Sequence, residues 1–448
     1  MHRKFTRPAL DTRPKRRRYE RTAVILLALG FGLVGLDRWI ITPLFPAIMA
    51  DLDLGYDDLG NIVGILGLTW GVSALFMGRL SDKFGRRRVM VPGIILFSLF
   101  SVFSGLATGL ISLLLVRALM GITEGAYSPT AVASTAEASR PERRGFNMGL
   151  QQSTFALFGI GLGPIIATQL LDVLPNWRWV FAIMIVPGLI LAFFTWRVIR
   201  EPEELEEAAL PETDLPEAVL DSAEEPVEVY PWYEVFKYRN IVFGTLALCG
   251  AMTCIFVMSA MVPSYLTDYQ SMSLTDMGFA TSGIGFGAFA GQLLIPGISD
   301  RIGRKLAAIL ALLFGAAMMT LFIAQGPNVF TTFALLFAVA MGVNGTLALV
   351  SATVSVESVP PALMATAAGT VMGLGEIFGG GVAPVVAGNL ASAYGIQTPL
   401  YLAMGGILVA LVMVLFLQET APSKLLSKTH SNANPDLTEE PVGNETHA

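Results

Sequence analysis

Histidine is nearly missing from this chain of 448 residues: there are three, His2, His430 and His447, and all lie in the terminal tails. A catalytic or metal-binding set built on histidine is therefore excluded from the body of the protein, and proton chemistry there must use carboxylates. Cysteine is as scarce. Cys249 and Cys254 fall in one apolar segment, which gives neither a disulfide framework nor metal-ligand spacing and reads as helix packing. Charge is short too, at 14% against the roughly 25% of a soluble domain. With no glycine-rich nucleotide loop and no nucleophile beside a base, nothing here marks an enzyme, a metal or a cofactor.

What is present is apolar: 53% hydrophobic residues, 45 glycines and a mean hydropathy of +0.61, the composition of a polytopic membrane protein. The net charge of -6 hides a segregation. Residues 1–21 hold nine Lys or Arg against two acids, whereas Glu201 to Phe236 holds thirteen acids and no base. A basic run just ahead of a hydrophobic span is a topology determinant rather than a nucleic-acid site. The first apolar run, from Thr22, is too long for a signal segment and lacks a small-residue cleavage site, so it is expected to stay in the mature protein.

Twelve apolar runs are long enough to span a bilayer as helix: near 22–48, 58–78, 89–107, 110–134, 146–171 and 178–199, then 240–266, 274–298, 305–324, 328–354, 363–391 and 398–418. The expected fold is an all-α membrane protein. Its divisions are a basic arm (1–21), a six-helix bundle (22–199), an acidic linker (200–239), a second six-helix bundle (240–418) and a tail (419–448). Basic loops at Arg86 to Arg88, Arg140 to Arg144 and Arg301 to Lys305 alternate with base-free ones such as Asp51 to Asp58. That alternation predicts an inner-membrane protein with both termini cytoplasmic. Val356 to Pro361 breaks the pattern, with Glu357 and no base. The linker reads as a solvated cytoplasmic tether.

The halves are related. A shift of 220 lays Glu137 on Glu357, Gly159 on Gly379 and Pro164 on Pro384; a shift of 218 lays Asp82 on Asp300 and Gly85 on Gly303. Parallel repeats place a site where the halves meet, with alternating access by rocking one half over the other.

Polar residues inside the spans are the candidate site. Each buried charge costs about 2.5 to 3.5 kcal/mol on insertion scales, so such residues normally face a bundle interior with a partner. Arg117 and Glu124 are seven residues apart and return to nearly the same helical face. They read either as a structural pair or as a ligand and proton site, with Gly121 and Gly125 letting a neighbouring helix approach. Asp37 and Arg38 are adjacent and point about 100° apart, and Pro43 and Pro46 should bend their helix. Glu376, the evident mid-span acid of the second half, reads equally as a structural hydrogen-bonding group or a proton site. Tyr127, Gln151, Gln152 and Asn344 could line the cavity or act as interhelical glue. Trp70 could stack on a ligand or simply pack.

The loop GRLSDKFGRRR, Gly78 to Arg88, has Asp82 beside bases and a turn glycine, Gly85, next to Arg86; PGISDRIGRK repeats the acid, turn and bases as Asp300, Gly303 and Arg304. Such a loop could hold a cytoplasmic gate shut.

That loop resembles the hallmark of the major facilitator superfamily, and the resemblance covers essentially all twelve spans. GLDRWIITPLFPAI and RALMGITEGAYSP further resemble the anion:cation symporter family, and the charged pattern also resembles spinster-like lysolipid transporters. The symporter resemblance implies that Arg38 and Arg117 bind anion and that Asp37 and Glu124 couple protons. GIGLGPIIA resembles part of the fifth-span motif of proton-coupled drug antiporters, but Ala167 and Thr168 replace its glycine pair. The expected function is proton-coupled symport of a small organic anion, a sugar acid or other carboxylate, by a monomer in contact with membrane lipid. The alternatives are export of drugs or lysolipids, and a transporter-like sensor.

Two arginines in a cavity suit a carboxylate, because the guanidinium stays charged and offers a planar fork. Protonating Glu124 would free Arg117 to hold substrate.

Overall fold

The computed structural model describes residues 13–140, 143–201, 231–360, 363–421 and 424. Eleven helical segments among these are long and apolar enough to cross a membrane: α1 (Pro14–Leu52), α3 (Arg86–Gly105), α4 (Leu110–Ala138), α5 (Arg144–Val173), α6 (Trp177–Val198), α7 (Arg239–Tyr269), α8 (Leu274–Ile302), α9 (Arg304–Ala324), α10 (Val329–Glu357), α11 (Thr366–Tyr394) and α12 (Thr398–Leu415). The 29-residue helix α2 (Tyr56–Phe84) completes twelve, in the order expected. Among the described residues there is no strand. Most of the basic arm, most of the acidic linker and most of the tail lie outside the described residues.

The internal repeat is visible in backbone detail. In α5, α-helix over Arg144–Phe155 gives way to π-helix over Ala156–Leu162 and returns at Gly163. In the helix that begins at Met364 and continues as α11, the same change runs through Met364–Gly375, Glu376–Val382 and Ala383, the same boundaries shifted by 220. The cause is a proline in each. Pro164 and Pro384 enter the second α segment without an N–H, and the wider π turn just ahead absorbs the carbonyl that would be left unpaired.

Two tight turns repeat as well. Gly85 and Gly303 take φ of 97° and 103° with ψ of 146° and 149°, a region essentially closed to other residues. Each turn leads straight into a helix whose first N–H groups need acceptors. Glu201, just past α6, accepts from the backbone N–H groups of Arg86 at 2.7 Å and Arg87 at 3.2 Å. Glu419, just past α12, accepts from Arg304 and Lys305 at the same two distances.

In α1 the helix is interrupted at Ile40, between Trp39 and Ile41. Pro43 has no N–H to offer the Trp39 carbonyl, and the Thr42 hydroxyl donates to that carbonyl instead, at 3.0 Å.

The halves meet along α2 with α11 and α5 with α8. Gly60, Gly64 and Gly67 share one face of α2, and a Cβ on any of them would come within 2.4, 2.6 and 2.3 Å of the carbonyl oxygens of Pro384, Gly381 and Gly380. Gly161 and Gly285 touch backbone to backbone in the other pair. Toward the basic loops the same helices diverge: a Cβ on Gly145, Gly149, Gly297 or Gly369 would meet nothing within 4 Å. One end is shut and the end with the basic loops is open.

Candidate substrate site

Where α1 breaks, it carries two charges in opposite directions. Arg38 reaches across the interface and its Nη2 donates to Glu376 Oε1 at 2.5 Å, with the two side chains only 2% and 5% exposed. Glu376 opens the π segment of α11. The glycines at the interface make room for this pair, since a Cβ on Gly67 or Gly380 would lie 3.1 or 3.2 Å from Arg38 Nη2. The guanidinium also lies over Phe256 of α7 at 4.8 Å, with Trp39, Trp70 and Phe155 rings at 5.7 to 6.0 Å. An aromatic box drawn from both halves holds the cation. Trp70 lies beside it.

Arg117 of α4 is buried and lies against the same break. Its Nη1 donates to the backbone carbonyls of Asp37 at 3.1 Å and Arg38 at 3.4 Å, and its guanidinium sits 5.6 Å from the Phe181 ring. Nε and Nη2 of Arg117 have no hydrogen-bond partner among the described residues, and neither does any carboxylate oxygen of Asp37 or Glu124. The charges acting on Glu124 are those of Arg38, Asp37, Arg117 and Glu376. Two arginines and three carboxylates thus form one buried cluster at the meeting of α1, α4 and α11.

Of the two readings of Arg117 and Glu124, the direct structural pair is not made. Seven residues separate the two by about 10 Å along the axis, and the carbonyls at the α1 break lie within reach of the guanidinium. Glu124 therefore acts on Arg117 only through space.

The other expected residues divide. Gln151 is fully buried with both amide atoms unpartnered, and Asn344 is buried with its Nδ2 unpartnered, so both hold bonding capacity in reserve. Gln152 is half-buried. Tyr127 fills the space beside Gly30 of α1 and stands edge-on to Phe97 of α3 at 6.0 Å, between helices of the first half. Gly121 and Gly125 do admit a neighbour, for a Cβ on either would lie 2.5 Å from a backbone carbonyl of α2.

In the hallmark loops, Arg86 bonds Glu137 at 2.8 Å and Ser81 at 2.7 Å, while Arg304 bonds Glu357 at 2.9 Å, Ser299 at 2.7 Å and Asp300 at 2.5 Å. These bonds tie each loop into its own half. Glu357, which broke the loop-charge pattern, is thereby explained as the partner of Arg304. The surroundings of Gly78 and the side chain of Asp82 lie outside what is described.

Sequence reasoning missed Glu201 and Glu419, although each stands 116 residues after its turn glycine, a spacing that signals the repeat. It also missed the polar ties across the shut end. There the Tyr56 hydroxyl donates to Asp268 at 2.7 Å and Ser392 donates to Asp57 at 2.8 Å. No motif joins residues that far apart in the chain.

A two-halved helical protein with a charged cluster where the halves meet is a secondary transporter by architecture. The chain matches the Major Facilitator Superfamily over residues 27–371 and 245–442 and belongs to that family. It is 25% identical over 323 residues to the "Probable L-galactonate transporter" of Escherichia coli, covering 70% of this chain and 71% of that protein. It is 27% identical over 290 residues to the hexuronate transporter of Bacillus subtilis, covering 64% and 66%. In fold it is similar to a bacterial homolog of the human lysosomal transporter Spinster in an inward-facing, unoccupied conformation, with a TM-score of 0.71, 17% identity and coverage of 91% and 95%.

Proposed function

We propose that this transporter carries a small organic anion, a sugar acid or related carboxylate, together with protons, by alternating access. The observation that carries the reading is the charge balance of the buried cluster. Arg38 and Arg117 supply two positive charges; Asp37, Glu124 and Glu376 supply three negative ones when ionised. In that state the cluster repels an anion. One proton makes it neutral and a second makes it positive, so anion binding and proton uptake favour one another, which is the thermodynamic requirement for symport.

The unpartnered N–H groups of Arg117 offer a carboxylate a charge-assisted grip. Protonation of Glu376 releases the charge of Arg38, which is otherwise spent on the ion pair between the halves. The names of the relatives, a galactonate and a hexuronate transporter, agree with that substrate class. In this reading the basic loops face the cytoplasm across an inner membrane, the open end is the cytoplasmic one, and the protein works as a monomer.

The test is uptake of galactonate and glucuronate into proteoliposomes under an imposed pH gradient. Acid outside should accelerate wild-type uptake, a protonophore should abolish that gain, and Arg117→Ala should lower uptake at least about tenfold, the loss of one charged hydrogen-bonded contact. Normal carboxylate uptake by Arg117→Ala, or indifference to the gradient, would overturn the reading. Accumulation of lysolipid or drug in the reverse direction would identify an exporter.

A further inference from the structure

Away from the charged cluster, at the shut end of the second half, lies a cavity of about 440 Å³. Tyr265, Tyr269 and Tyr401 and the amides Gln270, Gln325 and Gln397 line it, and none of its lining residues carries a formal charge. The volume falls within the roughly 300–1,000 Å³ of small-molecule sites.

The lining is built rather than incidental. Tyr265 and Tyr269 lie in the π turn that ends α7, with rings 5.2 Å apart and nearly parallel at 17°. Irregular turns of this kind often mark functional sites. Ser271 then takes a left-handed φ of 55°, and the chain curls so that Gln270 turns back and its amide donates to the Tyr265 hydroxyl at 3.1 Å. Gln325 is fixed by donating to Thr332 at 2.8 Å. After these bonds the buried carbonyl oxygens of Gln270 and Gln325 have no donor.

Tyrosines near the end of a membrane helix ordinarily serve as interface anchors, their rings turned outward. Tyr265 does not fit that role, being 3% exposed. Tyr269 and Tyr401, at 57% and 60%, form the mouth.

We propose that this cavity is a second binding site, for an uncharged polyhydroxylated ring such as a sugar or a sugar lactone. Once the two side-chain amides turn toward the cavity, the Gln270 and Gln325 carbonyls, which are buried and without a donor, would accept from ring hydroxyls, and the apolar face of the ring would lie on a tyrosine. A carboxylate is disfavoured because no cation lines the cavity, which separates this ligand class from that of the central cluster. The same chemistry is offered by a free sugar or by the headgroup of a glycolipid.

The experiment uses the full chain in phosphatidylcholine nanodiscs, free of glycoside detergent, with methyl β-D-galactopyranoside and methyl β-D-glucopyranoside as probes in saturation-transfer NMR. Wild type and Arg117→Ala should bind a probe saturably and within about twofold of each other. Gln325→Leu and Tyr401→Ala should bind at least about tenfold more weakly, while remaining monodisperse and transporting as before. A short-chain galactosyl lipid competing better than the free glycoside would assign the headgroup as the occupant. The inference falls if wild type binds no uncharged probe, or if both cavity variants bind the probe as wild type does. Should one cavity variant fail to fold, Gln397→Leu takes its place.

Discussion

Arg38 and Glu376 are separated by 338 positions and joined at 2.5 Å, so this pair couples the stability of each half to the other. Removing one member of a buried pair leaves an uncompensated charge, at a cost on the order of 3–5 kcal/mol. Glu376→Ala should therefore lower the thermal midpoint well below that of Glu376→Gln, which retains an acceptor for the guanidinium. Equal midpoints for the two variants would mean that the pair does not hold the halves together. Adjacent residues in α1 divide the work. Arg38 looks to the second half, whereas Asp37 stays inside the first, beside Ser101 and Arg117. The sequence showed that such neighbours point apart, but which of them faced the interface depended on how α1 is rotated against α11.

At the scale of elements, the turn glycines and their acids make a checkable unit. A side chain at Gly303 would be strained by the φ of 103° and would lie 2.6 Å from Glu419 Oε2. Gly303→Ala should destabilise by about 1–3 kcal/mol. Gly369→Ala, in a helix and facing open space, should be neutral or slightly stabilising. Thermal unfolding of both, beside wild type, tests the contrast. If Gly303→Ala unfolds no earlier than Gly369→Ala, the turn is not the conformational requirement described. Glu201 and Glu419 show why part of this unit escaped notice: a lone acid after a helix is ordinary, and it becomes a cap only when the fold brings it to another helix start.

For the whole molecule, the conformation is set by where small residues let backbones touch. A Cβ on Gly60 would lie 2.4 Å from the Pro384 carbonyl oxygen, so Gly60→Val should obstruct closure of the shut end. In a background lacking Cys249 and Cys254, spin labels at the shut ends of α2 and α11 should report a greater population of long distances for this variant. An unchanged distribution would show that the two helices are not what holds that end closed. Rocking between two such arrangements requires breaking the Arg38–Glu376 pair together with the Tyr56–Asp268, Asp57–Ser392 and Thr275–Asp172 bonds. Among the described residues such ties are few, which keeps the transition within reach of a bound ligand's free energy.

Twelve helices, their order and the two-fold repeat were legible in the sequence, because membrane spans are set by local hydropathy and length, and the repeat is written in residue identity. The charged residues of the site were legible too, since ionised groups in an apolar span are costly and stand out. Partnership was not. That Arg117 grips carbonyls of α1 rather than Glu124, that Tyr127 stands between helices of the first half, that Glu357 answers Arg304, and that three tyrosines and three amides enclose a cavity all depend on helix rotation and approach. Those are decided by packing between segments hundreds of residues apart, where the energy of each contact exists only once the backbones have met.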